Sequence, residues 1–192
     1  MPHRARLWPE SNLHLLTTGG NGRCRIFLGV SDRDSFLDLF DEAVSRHRWD
    51  VYAWCLLGTH LHIVVRAEPD RLHRGMHRLK SVYAMRFHRR HLTVGALFQR
   101  PYDSRPIVTE EHLHRDCGYT LGNPFRHGFV ERAEDWEWSS FRASARLAPP
   151  ARPNLACEPF DRMLGLATNG RPLDTLRSYV REPANDVAIT TG

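Results

Sequence analysis

The stretch from Val51 to Arg66, VYAWCLLGTHLHIVVR, decides the fold. It holds two apolar runs, Val51–Leu57 and His60–Arg66, separated by Gly58-Thr59. Short runs rich in β-branched and aromatic residues, broken by a tight-turn pair, predict a β-hairpin. The first run lacks polar alternation, so its strand is expected to be buried. In the second, His60 and His62 flank Leu61. Positions i and i+2 share one face of a strand, so both imidazoles leave the sheet on one side while Leu61 points into the core. That geometry suits two ligands of one divalent metal. The chain has 12 histidines, so chance pairing is the competing reading of this motif taken alone.

Upstream, Leu13–Thr17 is a short extended run closed by Gly19-Gly20-Asn21-Gly22. Ser31 or Asp32 can cap a helix running through Trp49, with Phe36, Leu37, Phe40 and Val44 on its apolar face. Downstream, Asp70 to His91 reads as a long helix. Leu72, Met76, Leu79, Tyr83 and Phe87 recur at spacings of 4, 3, 4 and 4, which makes one buried stripe and places Tyr83 in the core. Ala96–Gln99 and Arg105–Val108 are candidate short strands. Glu110 to Leu121 reads as a helix stopped by Asn123-Pro124. Pro149, Pro150 and Pro153 mark a linker, and Glu158–Ala167 and Pro172–Glu182 are candidate terminal helices. The order of elements predicts an α+β domain over residues 1–146, an antiparallel sheet covered by helices, followed by a Pro-rich linker and helical extension over 147–192.

At 192 residues, 41% hydrophobic and 26% charged, with mean hydropathy −0.49, the chain reads as a soluble globular protein. The N-terminal MPHRARLWPESNLHLLTTGG lacks the apolar core of a signal peptide, and no apolar run approaches a membrane span. Cys24, Cys55, Cys117 and Cys157 are scattered without a CxxC pair, which argues against a zinc ribbon or disulfide framework. Cytoplasmic localisation without a membrane partner is the expectation. The net charge is +5, and 26 of the 27 basic residues are arginine, a ratio that codon usage in a GC-rich genome would produce. Its distribution is more telling. Residues 66–100 carry nine basic residues against Glu68 and Asp70, a local +7. Arg71, Arg74, Arg78, Lys80, Arg86, Arg89, Arg90 and Arg100 are therefore candidates for binding nucleic acid, against the plainer reading of a solvated helix face.

In the helix near residue 119, Leu113, Cys117 and Leu121 form an apolar stripe, and Tyr119 lies about 200° from it. Asn123 and Arg115, each four residues from Tyr119, share its face. A tyrosine, an amide and an arginine on one surface could serve chemistry or DNA contact; an amphipathic surface tyrosine is the alternative.

Taken in order, GTHLHIVV, MHRLKSVYAMRFHRRH, GALFQR, YTLGNPFRHGFV and WEWSSFRAS resemble the single-tyrosine HUH transposases, nearest the REP-associated tyrosine transposase branch. HUH denotes His–hydrophobic–His, here His60-Leu61-His62, and the resemblance spans about residues 12–145. It implies a ferredoxin-like or RRM-like fold. It further implies a divalent metal, Mg²⁺ or Mn²⁺, on His60 and His62 with Asn123 as third ligand, and Tyr119 as the nucleophile on single-stranded or hairpin DNA. Attack would form a 5′-phosphotyrosine and release a 3′-OH, and members of the family typically act as homodimers. Three departures stand out: Thr59 where the family has Asn, Thr18-Gly19 where it has Arg-Gly, and Arg100-Pro101-Tyr102-Asp103 in a normally basic segment. The alternative function is a domesticated nucleic-acid-binding protein that keeps the fold without transposing. A two-histidine phosphoesterase would require a second, facing His-x-Ser/Thr motif, and no strand-like candidate for one occurs.

Overall fold

The computed structural model describes residues 12–99, 101–166 and 171–181. Its core elements follow in the order β1 (Leu13–Gly19), α1 (Val30–His47), β2 (Asp50–Leu56), β3 (His60–Arg66), α2 (Pro69–His91) and β4 (Asp103–Pro106). The strands form an antiparallel sheet in the order β2-β3-β1-β4. This is the split β-α-β arrangement of the ferredoxin-like fold. The hairpin falls where the sequence places it, and β3 has the expected bounds.

The register fixes what the two histidines can meet. His62 lies opposite Thr17 on β1 and Cys55 on β2, and Thr17 lies opposite Asp103 on β4. Directly opposed residues share a face, so these four form one row across the sheet. Leu61 lies opposite Thr18 and Leu56 and points to the other side.

Both faces are covered, which is why β3 carries a continuous apolar run: Ile63, Val64 and Val65 are wholly buried. On the Trp54 and Ile63 face, the Trp54 indole N–H donates to the Leu155 carbonyl at 3.5 Å, and the 3₁₀ turn containing Leu155 packs on α1. Helices α1 and α2 pack against each other in this layer. Leu72, Met76, Leu79, Tyr83 and Phe87 are all buried, as their spacing predicts. The Tyr83 hydroxyl donates to the Ile26 carbonyl at 2.5 Å, so the ring fills the core without stranding its polar end. The opposite face is covered by α3 (Glu110–Arg126), which packs on β2 and β3.

Several local expectations need correction. Helix α3 does not stop before Asn123-Pro124 but continues to Arg126. Proline removes one intrahelical donor. Around that break the Arg126 guanidinium donates to the Gly118 and Tyr119 carbonyls at 3.2 and 3.0 Å, and His127 and Phe129 N–H groups bond to Asn123 and Pro124. Ala96–Gln99 is not a strand. It touches the end of β1 through a single Gly20–Phe98 bridge, flanked by the Gln99 N–H on the Gly19 carbonyl. The strand that does pair with β1 starts at Asp103, two residues before the expected Arg105.

Helix α1 ends at His47 because Arg48 takes a left-handed conformation with φ 55°. After α4 (Phe141–Ser144), the proline segment lies across α1, held by Arg152 to Asp34 and Asp38 and by Asn154 to Asp41. Helices α5 (Glu158–Met163) and α6 (Pro172–Arg181) follow; Ala167 and Glu182, expected in them, lie outside the described residues. Leu155, Phe160 and Leu176 are fully buried within the same core as the sheet.

Candidate active site

The hairpin brings the His60 and His62 rings to 5.1 Å between centroids. Each ring is held through Nδ1. The Thr17 hydroxyl lies 3.1 Å from His62 Nδ1, and the Thr59 hydroxyl 2.9 Å from His60 Nδ1. A hydroxyl on one ring nitrogen fixes ring orientation and leaves Nε2 as the ligating edge. Thr59, a departure from the family pattern, thus has a defined partner. His62 is 3% exposed, and its Nε2 is buried without a partner. Burial, with a smaller contribution from His60 and His127, pushes the His62 pKa down to about 3. Burial and His127 also lower that of His60. Near neutral pH the buried His62 is therefore neutral, the form that donates to a metal.

Helix α3 supplies the second half. The Tyr119 ring lies 5.3 Å from that of His62 at 83°, an edge-to-face contact. Arg126 sits 5.7 Å over the Tyr119 ring, bonds the carbonyl of Tyr119 itself and reaches the Val180 carbonyl on α6 at 3.1 Å. An added Cβ at Gly122 would approach Arg126 Nη1 to 2.7 Å, and one at Gly118 would meet Tyr179 of α6 at 3.3 Å. The tyrosine helix is thus backed by the C-terminal helix at Gly118, while Gly122 leaves room for Arg126 of its own helix.

Asn123, one turn beyond Tyr119, is 1% exposed, and neither Oδ1 nor Nδ2 has a partner. The expected open surface of Tyr119, Asn123 and Arg115 is not formed: Asn123 is buried, and Arg115 turns to Asp116 at 3.3 Å. Asp116 is itself buried and held by Arg105 at 2.7 Å, so Arg115 serves a buried carboxylate. His62 Nε2 and Asn123 Oδ1 offer lone pairs that a cation could take, whereas the Asn123 Nδ2 donor would need an acceptor. Among the described residues no three His, Cys, Asp or Glu side chains are arranged to hold a metal, so a cation here needs the amide or a ligand from substrate.

The candidate DNA-binding residues are dispersed. Arg78, Arg86 and Arg90 reach across to α1, to Glu42, Ser35 and the buried Asp32 at 3.2, 3.5 and 2.6 Å. Arg74 and Arg89 are exposed and Arg71 is partly so. All six belong to the α1–α2 layer, across the sheet from Tyr119. Lys80 differs: it donates to the Gln99 carbonyl at 3.2 Å and lies 5.3 Å over Phe98, beside the end of β1 that pairs with His60. Arg100 lies outside the described residues.

Periodicity gave no weight to a group the structure places around the hairpin turn. The Arg25 guanidinium runs over Gly58, where an added Cβ would meet its Nε at 3.5 Å. Arg33 lies 5.9 and 5.3 Å over Trp136 and Trp138, and the His127 ring is 6.1 Å from that of His60. The clustering of aromatic residues in FRHGFV and WEW was the available signal.

The match to a family profile defines the class. The chain belongs to the IS200-like transposase family, whose profile, described as Transposase IS200 like, matches residues 11–113, through the hairpin and α2 and ending six residues before Tyr119. It is similar to a Haemophilus influenzae protein assigned as a REP-associated tyrosine transposase, at 21% identity over 157 residues, which cover 76% of this chain and 89% of that one. A solved REP-associated tyrosine transposase bound to a REP hairpin has the same fold, with a TM-score of 0.56 at 17% identity over 81% of this chain and 90% of its own. No helix among the described residues is long and apolar enough to cross a membrane.

Proposed function

We propose that this transposase cleaves single-stranded DNA next to a hairpin and holds the cut end as a 5′-phosphotyrosine on Tyr119. The observation that carries this reading is the packing of Tyr119 against His62, 5.3 Å between rings, with His62 Nε2 and the Asn123 amide both left unpartnered. His60, His62 and Asn123 would hold Mg²⁺ or Mn²⁺, which when bound would neutralise charge on the scissile phosphate. Thr17 and Thr59 orient the imidazoles. Tyr119 Oη forms a bond to phosphorus as the phosphorus–O3′ bond breaks; the phenolic proton is lost to solvent, and the departing O3′ takes a proton from solvent to become a 3′-OH. A phenolate is a competent nucleophile and leaving group, so a 3′-OH can reverse the step and join strands. Hairpin DNA as the partner rests on the similar protein solved with a REP hairpin. A homodimer remains part of the proposal through the family alone.

A second reading is a nucleic-acid-binding protein that keeps the fold and no longer cuts; Asp103, in the cross-strand row with Thr17 and His62, opposes a phosphate at the site itself and so weighs against close approach of the scissile group there. One experiment separates the two. Incubated with a short hairpin oligonucleotide and Mn²⁺, the wild type yields a covalent protein–DNA band on a denaturing gel, and Tyr119→Phe yields none while still binding. Binding by the wild type without any adduct establishes the second reading instead.

A further inference from the structure

Beside the histidine pair runs a row of rings that the chemistry above does not use. From His60 the contacts lead to His127 at 6.1 Å, on to Phe129 at 6.1 Å and then to Trp136 at 5.9 Å, the last pair stacked at 27°. The row is held in place by backbone contacts. Gly128, at φ 70°, turns the chain sharply after α3, and the Phe129 N–H bonds the Pro124 carbonyl at 3.0 Å. The Trp136 indole N–H donates to the Leu56 carbonyl at 3.1 Å, tying the far end to the hairpin. Phe129 is nevertheless 54% exposed.

A single exposed phenylalanine needs no explanation. This one stacks on a tryptophan whose ring also lies under Arg33, and it sits two ring contacts from the metal-ligand candidates, with Arg25 at the hairpin turn. Fixed aromatic faces with neighbouring cations are what an unpaired base with its phosphate requires, and such stacking tolerates any base because each has a π-face.

We infer that Phe129, backed by Trp136, is a stacking platform for one unpaired nucleobase of the DNA strand that passes the His60–His62 pair. This rests on the proposed single-strand substrate but does not require that the strand be cut. Arg33, packed over Trp136, and Arg25, at the hairpin turn, would supply positive charge for the strand's phosphates, and His127 spaces the base from the site of cleavage.

The test is a binding titration of the full chain with fluorescent hairpin oligonucleotides carrying thymidine flanks, in which each flank base in turn is replaced by an abasic site. At one flank position the wild type loses roughly five- to hundred-fold in affinity when the base is removed. Phe129→Ala and Phe129→Leu lose that factor on intact DNA and are indifferent to the abasic site, whereas Phe129→Trp behaves as wild type. Thermal melts check that the variants fold. The proposal is overturned if Phe129→Leu binds like wild type, if its sensitivity to the abasic site persists, or if the wild type does not bind the strand. Normal abasic sensitivity without a covalent adduct counts against the phosphotyrosine reading alone.

Discussion

Thr17 and Thr59 show how much of this site depends on residues that perform no chemistry. Each offers one hydroxyl to one imidazole Nδ1, and together they aim two Nε2 atoms. Removing such a support typically costs 10- to 100-fold in metal affinity or activity. Thr17→Val keeps the strand's shape but deletes the hydroxyl. It is expected to need about 10- to 100-fold more Mn²⁺ for half-maximal adduct formation and to recover near-normal yield at saturation. An unchanged Mn²⁺ requirement would show that His62 is held by its burial alone. The histidine pair was legible because a strand's period of two is strict. Thr17 was not, because its role depends on a register between strands 45 residues apart.

At the scale of elements, the tyrosine helix and the C-terminal helix act as a unit. Arg126 bonds two carbonyls of α3 and one of α6, and Tyr179 of α6 donates to the His114 carbonyl. Arg126→Ala is expected to lower unfolding stability by about 1.5–3 kcal/mol, the range for hydrogen bonds that involve a charged group. Arg126→Lys should recover only part, because an ammonium cannot reproduce the planar fork. Denaturant melts measure both; full recovery by lysine would contradict the fork geometry. Proline at 124 signals a helix end in sequence, and the helix passes it because a side chain two residues on bonds carbonyls before the break. That compensation runs within α3 through a side chain and follows no helical hydrogen-bond period, so it leaves no periodic trace. The basic run on α2 was equally legible as charge, but Glu42, Asp32 and Ser35 on α1 take up three of its arginines, and this pairing follows from packing.

Across the whole molecule, the sheet places the site between layers, and burial of imidazoles is a cost the fold carries. His14, His47, His60 and His62 all have pKa values lowered chiefly by burial. A group with a depressed folded pKa binds protons more readily when unfolded, so stability falls as pH drops below about 6.5 and is unaffected well above it. For His62, at about 3, the loss approaches about 2 kcal/mol by pH 5. With chelator present, the denaturation midpoint should decline from pH 7 to pH 5, and His62→Gln should flatten that decline. A decline of equal slope in the variant would assign it to other groups. The ferredoxin-like arrangement entered only through the family resemblance, whereas the α+β class with an antiparallel sheet was within reach of the sequence, because the hairpin and the two long helices are periodic. The packing of the proline segment and α6 onto the same core was not, since Arg152 and Asn154 find their acidic partners on α1, more than 100 residues away.

The central claim is that Tyr119 carries the DNA. It is tested most directly by digesting the Mn²⁺-dependent adduct with protease and nuclease and locating the residual nucleotide by mass spectrometry. The expected product is a nucleotide joined through its 5′-phosphate to Tyr119. A nucleotide on any other residue, or an adduct that survives in Tyr119→Phe, would contradict it.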